Sequence, residues 1–168
     1  MKPWLPDHCV RHVRELTPEW LGERGIRGLV ADLDNTLVGW HEEAIPEDVL
    51  AWSRALGNAG IPLCIASNTW NFGRLRRVAH TLGAEHHPGN AGKPGTRGVG
   101  DSLSRLGLTA ADAAMVGDQL FTDMVAGRRA GLATILVNPL SSREFIGTRL
   151  VSRNLERLVL RGDRARPR

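Results

Sequence analysis

Four short runs of mainly apolar residues recur along the chain, and longer segments with a helical repeat separate them. The runs occupy residues 25–34, 61–67, 113–118 and 132–138. Within them the apolar residues do not alternate with polar ones, which is typical of parallel strands that are buried on both faces. The pattern therefore predicts four central β-strands, and we expect a shorter strand at residues 84–86.

The segments between these runs repeat apolar residues at intervals of three and four, which indicates amphipathic helices. Pro46 occupies a first-turn position of the first helix, and glycines follow its end. The repeating residues are, in chain order, Val49, Trp52 and Leu56; Phe72, Leu75, Ala79 and Leu82; and Val99, Leu103 and Leu106. Strands that alternate with such helices predict an α/β fold, a doubly wound three-layer parallel sheet with right-handed crossovers.

Length and composition favour one domain. The chain has 168 residues and 42% hydrophobic content, which is enough for a single core. It contains no internal repeat and no low-complexity linker. We expect residues 1–168 to form a single domain with a basic C-terminal segment at residues 149–168.

The cysteines and the N-terminal sequence indicate the cellular compartment in which we expect the protein. Cys9 and Cys64 lie far apart and form no CxxC pair, so neither a disulfide framework nor a cysteine zinc site is supported. The N-terminus lacks the apolar stretch of a signal peptide, and no apolar run approaches the roughly 20 residues of a membrane span. We expect a cytoplasmic protein, in solution or peripheral at the inner membrane surface.

Positive charge is concentrated near the C-terminus. Residues 1–142 hold 14 Lys and Arg against 15 acids, whereas residues 143–168 hold eight Arg against three acids. Arginines recur there at every fourth position, namely Arg149, Arg153, Arg157 and Arg161. In a helix they would form a stripe suited to an anionic membrane or to nucleic acid. The alternative, which we favour, is a terminal helix that packs through its leucines and solvates its arginines.

Polar residues stand where the predicted strands end. They are Asp32 and Asp34 after the first run, Ser67 and Asn68 after the second, Gly117 and Asp118 after the third, and Lys93 at the start of a predicted helix. In doubly wound sheets, ligands bind beyond the carboxyl ends of the strands. We therefore expect these residues to converge on one edge of the sheet.

The pair Asp32 and Asp34 places two like charges close together, and such charges repel unless a cation or a shared proton lies between them. Mg²⁺ prefers oxygen ligands, and Asp118 could complete an oxygen set with this pair. The alternative is that residues 34–36 form only an Asx-type turn after the strand. Asp123 is open to a second interpretation as well, since acids are favoured in the first turn of a helix.

In this order, the motifs resemble those of the haloacid dehalogenase (HAD) superfamily. The matching motifs are Asp32-Leu33-Asp34-Asn35-Thr36, Ser67-Asn68, Lys93-Pro94, and Gly117-Asp118 through Asp123. The resemblance is closer still to the YqeG-type branch of the subclass IIIA phosphatases, which is related to phosphatidylglycerophosphate phosphatases. It covers nearly all of residues 6–161 and rests on ELTPEWL, GIRGLVADLDNTLVGW, SNTWN, AGKP, VGDQLFTDMVAG and ATILVNPL. The chain departs from this branch at Thr69, where a second Asn is expected.

The resemblance implies hydrolysis of a phosphomonoester through an aspartyl phosphate. Asp32 would be the nucleophile, and Asp34 would serve as general acid and then as general base. Lys93 would place an ammonium beside the phosphate and Asp32. Ser67 and Asn68 would bind the phosphate together with Lys93.

The resemblance also implies a Mg²⁺ ion as cofactor. Its ligands would be Asp32, the main-chain carbonyl of Asp34, and Asp118. Asp123 would position Lys93 or a metal-bound water and would not bind the ion directly.

The spacing of the motifs leaves no room for a cap domain. One helix and one strand fill the interval from Asp34 to Ser67, and a helix with a short strand fills the interval from Ser67 to Lys93. A capless site is open and admits a bulky or surface-bound phosphate ester. Trp40 and Trp70 follow the first two motifs, where they either wall the mouth of the site or pack in loops.

Three functions fit these observations. The resemblance favours phosphatidylglycerophosphate, an anionic lipid phosphate, as the substrate. Soluble monoesters such as nucleotides or phosphosugars are the alternative. A third hypothesis is an adaptor that binds RNA or a partner protein through the basic tail, but a pure binding module has no need of Asp32 and Asp34 together.

Overall fold

The computed structural model describes residues 4–140 and contains a six-stranded, fully parallel sheet. The strand order is β1-β6-β5-β2-β3-β4. The strands are β1 (His8–Cys9), β2 (Gly28–Ala31), β3 (Leu63–Ile65), β4 (Glu85–His86), β5 (Ala113–Gly117) and β6 (Ala133–Leu136). The predicted doubly wound parallel sheet is confirmed, and β1 is an additional edge strand that pairs with β6.

Between residues 4 and 140, five α-helices connect the strands. They are α1 (Pro18–Gly22), α2 (Glu47–Asn58), α3 (Phe72–Leu82), α4 (Arg97–Leu106) and α5 (Val125–Arg129), with a π-helical turn at Leu120–Met124. Asn71 caps the start of α3, because its side chain accepts a hydrogen bond from the Arg74 N–H. Gly83, with a φ of 64°, caps the other end of the helix.

One boundary was predicted wrongly. The sequence suggested that Lys93 opens a helix, but α4 begins four residues later, at Arg97. The chain first turns at Gly95, whose N–H donates to the Gly92 carbonyl at 2.8 Å. Lys93 therefore lies in a loop, where its side chain is free of the helix surface and can enter the sheet edge.

The helices cover both faces of the sheet. Helices α1, α2 and α3 pack on one face against strand residues such as Leu29 and Ile65. Helices α4 and α5 pack on the other face against Val30 and Met115. Successive side chains of a strand point to opposite faces, so strands buried on both sides contribute to two cores. This arrangement confirms the predicted three-layer architecture.

No cap domain interrupts the described fold. The chain between Asp34 and Ser67 contains only α2 and β3 with their loops, and the chain between Ser67 and Lys93 contains only α3 and β4. The prediction of a capless site is therefore confirmed for these intervals, and the carboxyl edge of the sheet opens outward.

Two predictions concern membranes and the basic tail. Within residues 4–140, no helix has both the length and the apolar content needed to cross a bilayer. The arginine-rich segment at residues 149–168 lies outside the described residues, so the hypotheses about its partners stay predictions.

Candidate active site

The carboxyl ends of three neighbouring strands form the floor of one pocket. Asp32 follows β2, Ser67 follows β3, and Asp118 follows β5. The pocket has a volume of about 490 Å³. Its lining includes Asp32, Asp34, Ser67, Asn68, Lys93 and Asp123, with Trp40, His41 and Trp70 toward the mouth. The predicted site residues thus lie together at one edge of the sheet, with Asp118 buried beside the pocket.

Lys93 stands between two carboxylates. Its Nζ lies 2.7 Å from Oδ1 of Asp32 and 2.7 Å from Oδ1 of Asp123, and all three side chains are buried. Burial alone would lower the pKa of Lys93, but the charges of Asp123 and Asp32 outweigh it and raise the pKa above its usual range. The ammonium is therefore charged at any physiological pH.

Asp118 adds a third buried carboxylate to the group formed by Lys93, Asp32 and Asp123. One oxygen each from Asp32, Asp118 and Asp123 lies within 4.8 Å of the other two. Three carboxylates and one ammonium leave an excess of two negative charges when all are ionised, which is costly in a buried site. A divalent cation would balance this excess.

Asp118 has the properties of an oxygen ligand for a cation. Its Oδ1 is buried and accepts no hydrogen bond from the residues that the structure describes. Burial, followed by the charges of Asp123 and Asp32, raises the pKa of Asp118 to about 8. Carboxylate oxygens of this kind suit a hard cation such as Mg²⁺, so the donor set fits the predicted cofactor.

Asp123 owes its position to the main chain that precedes it. It lies in the π-helical turn after β5, and its Oδ2 accepts a hydrogen bond from the Gln119 N–H at 3.1 Å. Its carboxylate also packs against the main chain of Gly117, where a Cβ atom would collide with it. The glycine of the Gly-Asp motif thus makes room for the residue that pairs with Lys93.

Asn68 lines the pocket, where its predicted contact with phosphate stays a prediction. Its side chain also contacts the main chain of Lys93 through both of its polar atoms. Its Oδ1 accepts from the Lys93 N–H at 2.9 Å, and its Nδ2 donates to the Lys93 carbonyl at 2.8 Å. The side-chain amide therefore fixes the loop that carries Lys93.

Ser67 retains a hydroxyl that can act on a ligand. It is buried at the pocket floor, and its Oγ accepts a hydrogen bond from the Thr69 N–H at 3.1 Å. Because a hydroxyl both accepts and donates, its proton stays available for an anion in the pocket. Thr69, the departure from the expected motif, contributes its main chain to this arrangement.

Asp34 is held by Arg74, a residue that the sequence did not single out. Arg74 Nη2 lies 2.7 Å from Oδ1 of Asp34, and Nη1 lies 3.2 Å from Oδ2. The His41 N–H also donates to Oδ1, at 3.0 Å. Almost all basic residues of this chain are arginines, so nothing in the sequence distinguished Arg74 from the exposed Arg76 and Arg77 nearby.

Comparison with known proteins agrees with this site. The Hydrolase_like (HAD-hydrolase-like) family model matches residues 90–139. The probable phosphatase YqeG of Bacillus subtilis (strain 168) is 35% identical over 159 residues, which cover 95% of this chain and 91% of that protein. The phosphatidylglycerophosphate phosphatase 1, chloroplastic/mitochondrial, of Arabidopsis thaliana is 30% identical over 149 residues, which cover 83% of this chain and 42% of that protein.

A solved structure shares the fold. An uncharacterized protein from Listeria monocytogenes serotype 4b superposes with a TM-score of 0.56 at 17% identity, covering 71% of this chain and 85% of that chain. Its similarity concerns the architecture alone. The identity to YqeG extends over nearly the full length of both proteins, so the chain belongs to the YqeG family of HAD-like phosphatases.

Proposed function

We propose that the protein hydrolyses phosphomonoesters through an aspartyl phosphate formed on Asp32, with Mg²⁺ as cofactor. The observation that carries this proposal is the contact between Asp32 and the Lys93 ammonium, 2.7 Å long, at the floor of an open pocket. A carboxylate beside a fixed cation can approach a phosphate dianion with less repulsion.

In the first step, a carboxylate oxygen of Asp32 forms a bond to phosphorus while the bond between phosphorus and the ester oxygen breaks. Lys93 and the Ser67 hydroxyl bind the phosphoryl oxygens. Asp34 donates its proton to the departing alkoxide, which leaves as an alcohol. The products of this step are the alcohol and the aspartyl phosphate.

In the second step, water attacks the phosphorus of the aspartyl phosphate. Asp34, now ionised, accepts a proton from that water. The bond between phosphorus and the Asp32 oxygen breaks, which releases inorganic phosphate and regenerates the carboxylate.

Asp32 and Asp118, together with the main-chain carbonyl of Asp34, are the residues proposed to hold Mg²⁺. When bound, the ion would supply positive charge between the nucleophile and the phosphate. In this proposal Asp123 keeps its ion pair with Lys93 and does not bind the ion directly.

We infer that the substrate is phosphatidylglycerophosphate or a closely similar lipid phosphate. The similarity to the Arabidopsis phosphatase supports this choice, although the chain covers only 42% of that protein. Trp40 and Trp70 line the pocket mouth with 39% and 79% of their surface exposed. Aromatic side chains at such a rim suit the boundary between water and lipid.

The chemical proposal is tested with p-nitrophenyl phosphate and the full-length protein. Hydrolysis should require Mg²⁺, and Asp32→Asn should lower kcat by about 10⁴-fold or more. Asp48→Asn is the control, because Asp48 lies on α2 and forms an exposed ion pair with Arg14. Acid quenching should trap one phosphoryl group on the wild type and none on Asp32→Asn. An active Asp32→Asn protein would refute the assignment of the nucleophile.

The substrate proposal needs a separate comparison. We expect higher kcat/KM for phosphatidylglycerophosphate in vesicles than for glycerol phosphate, nucleoside monophosphates and sugar phosphates. Equal or faster turnover of a soluble ester would remove the lipid proposal and leave the chemistry intact.

A further inference from the structure

Arg74 is a buried arginine beside the mouth of the pocket. Only 2% of its side chain is exposed, and it lies in the first turn of α3. Arginine is rarely buried unless its charge and its donors are matched, because desolvation of the guanidinium is costly. All the acceptors that match it here lie in the segment that follows β2.

One side of the guanidinium fixes Asp34. The two contacts, at 2.7 Å and 3.2 Å, join two nitrogens to two oxygens, so they restrain both the position and the rotation of the carboxylate. The His41 N–H adds a third donor at 3.0 Å. The side chain of Asp34 is only 12% exposed, and it lines the pocket.

The same guanidinium also fixes the loop that forms one pocket wall. Nε donates to the Glu42 carbonyl at 2.7 Å, and Nη2 reaches the Gly39 carbonyl at 3.4 Å. Between these two carbonyls lie Trp40 and His41, which line the pocket. His41 has a φ of 57°, a region that residues other than glycine seldom adopt, so the loop depends on outside contacts.

We propose that Arg74 is a positioning residue that fixes Asp34 and the wall formed by Trp40 and His41 relative to each other. The alcohol part of a bound ester then meets the proton donor in one geometry. The proposal rests on the proposed function, because it takes Asp34 as the group that exchanges protons with the leaving oxygen and with water. A displacement of about 1 Å in such a group can lower a rate by about 10²-fold.

The test compares Arg74→Ala and Arg74→Lys with Arg77→Ala in the full-length protein. Arg77 is the matched control, since it lies on the same helix and pairs with Glu43 in an exposed ion pair. For Arg74→Ala, kcat for glycerol phosphate should fall by about 10²-fold with KM changed less than about threefold. For p-nitrophenyl phosphate the fall should be smaller, because nitrophenolate leaves with little need of a proton.

Arg74→Lys keeps the charge but loses the paired donors, so its defect should have the same dependence on the leaving group. It also covers the case in which Arg74→Ala does not fold. Adding Arg74→Lys to Asp34→Asn should lower kcat no further, because the two residues act as one unit. The proposal is overturned if Arg74→Lys turns over both esters at the rate of the wild type, or if it loses both to the same degree.

Failure of the proposed function gives a different result. In that case the wild type would show no Mg²⁺-dependent hydrolysis, or Asp32→Asn would remain active. Neither result depends on Arg74. An Mg²⁺-dependent wild type with an inactive Asp32→Asn variant, together with an unaffected Arg74→Lys variant, would refute the positioning role alone.

Discussion

The ammonium of Lys93 lies 2.7 Å from Oδ1 of Asp123, in a pair that is almost entirely buried. The side chain of Asn68 holds the main chain of Lys93 from the other direction. Lys93 is thus held at its main chain and at its ammonium, and the ammonium also contacts Asp32. Asp123 therefore fixes the position of the Lys93 ammonium beside Asp32, the proposed nucleophile.

Substitution of Asp123 by Asn should impair catalysis more than metal binding. The variant keeps the shape of the side chain but loses the charge that holds Lys93, so we expect kcat to fall by about 10- to 100-fold. Asp118→Asn should instead weaken Mg²⁺ binding by a similar factor. Titration of activity with Mg²⁺ separates the two effects. If Asp123→Asn weakens Mg²⁺ binding as strongly as Asp118→Asn does, and recovers full kcat at saturating Mg²⁺, then Asp123 is a metal ligand.

Gly117→Ala should damage both stability and activity. An added Cβ would collide with the Asp123 carboxylate, and relief requires Asp123 to move away from Lys93. Overpacking of this kind costs about 1–3 kcal/mol, measurable as a change in the free energy of unfolding by urea. Gly100→Ala in α4 is the control, since its Cβ meets no atom within 4 Å, and it should stabilise the helix by roughly 0.5–1 kcal/mol. Equal stability of the two variants would contradict the packing argument.

The strands and helices with a clear hydrophobic period were predictable, and the short elements were not. Four central strands, the short strand β4 and the helices α2, α3 and α4 follow from the pattern of apolar residues. Strand β1 has two residues, and long-range contacts such as that between the Asp7 N–H and the Thr134 carbonyl, at 3.0 Å, hold it on the sheet. Helix α5 has five residues, too few for a helical repeat to appear.

The site, too, has features that were predictable from the sequence and features that were not. The convergence of Asp32, Ser67 and Asp118 follows from the rule for parallel sheets, which needs only the strand ends. The roles of Arg74 and Asn68 depend on where a side chain points across 40 and 25 residues of chain. No local pattern encodes such a direction, so the sequence predicted neither the contact of Asn68 with the Lys93 main chain nor a role for Arg74.

Mg²⁺ should stabilise the protein more strongly as the pH rises. The pKa of Asp118 is raised in the folded state, so its protonated form stabilises the fold at low pH, and this contribution is lost as the pH rises through about 8. A proton and Mg²⁺ compete for this carboxylate, so the gain in Tm on adding Mg²⁺ should grow between about pH 6 and about pH 9. Thermal unfolding at each pH, once with Mg²⁺ and once with EDTA, measures this difference in Tm. In Asp118→Asn, the Tm gain from Mg²⁺ should increase less with pH. If the pH dependence of this gain were the same as in the wild type, Asp118 would be excluded as the group responsible.

Trp40→Ala should lower turnover of the lipid substrate selectively. Trp40 lines the pocket mouth and is 39% exposed, whereas Trp4 is 37% exposed and packs near Phe121, with ring centroids 6.4 Å apart. Loss of one aromatic contact with lipid should reduce kcat/KM for phosphatidylglycerophosphate vesicles by about three- to tenfold. Trp4→Ala serves as the control with similar exposure and should change this kcat/KM less than about twofold. Because glycerol phosphate lacks the acyl chains, its hydrolysis by Trp40→Ala should fall less than that of the lipid. An equal loss for both esters would show that Trp40 acts only on parts that the two substrates share and not on the acyl chains.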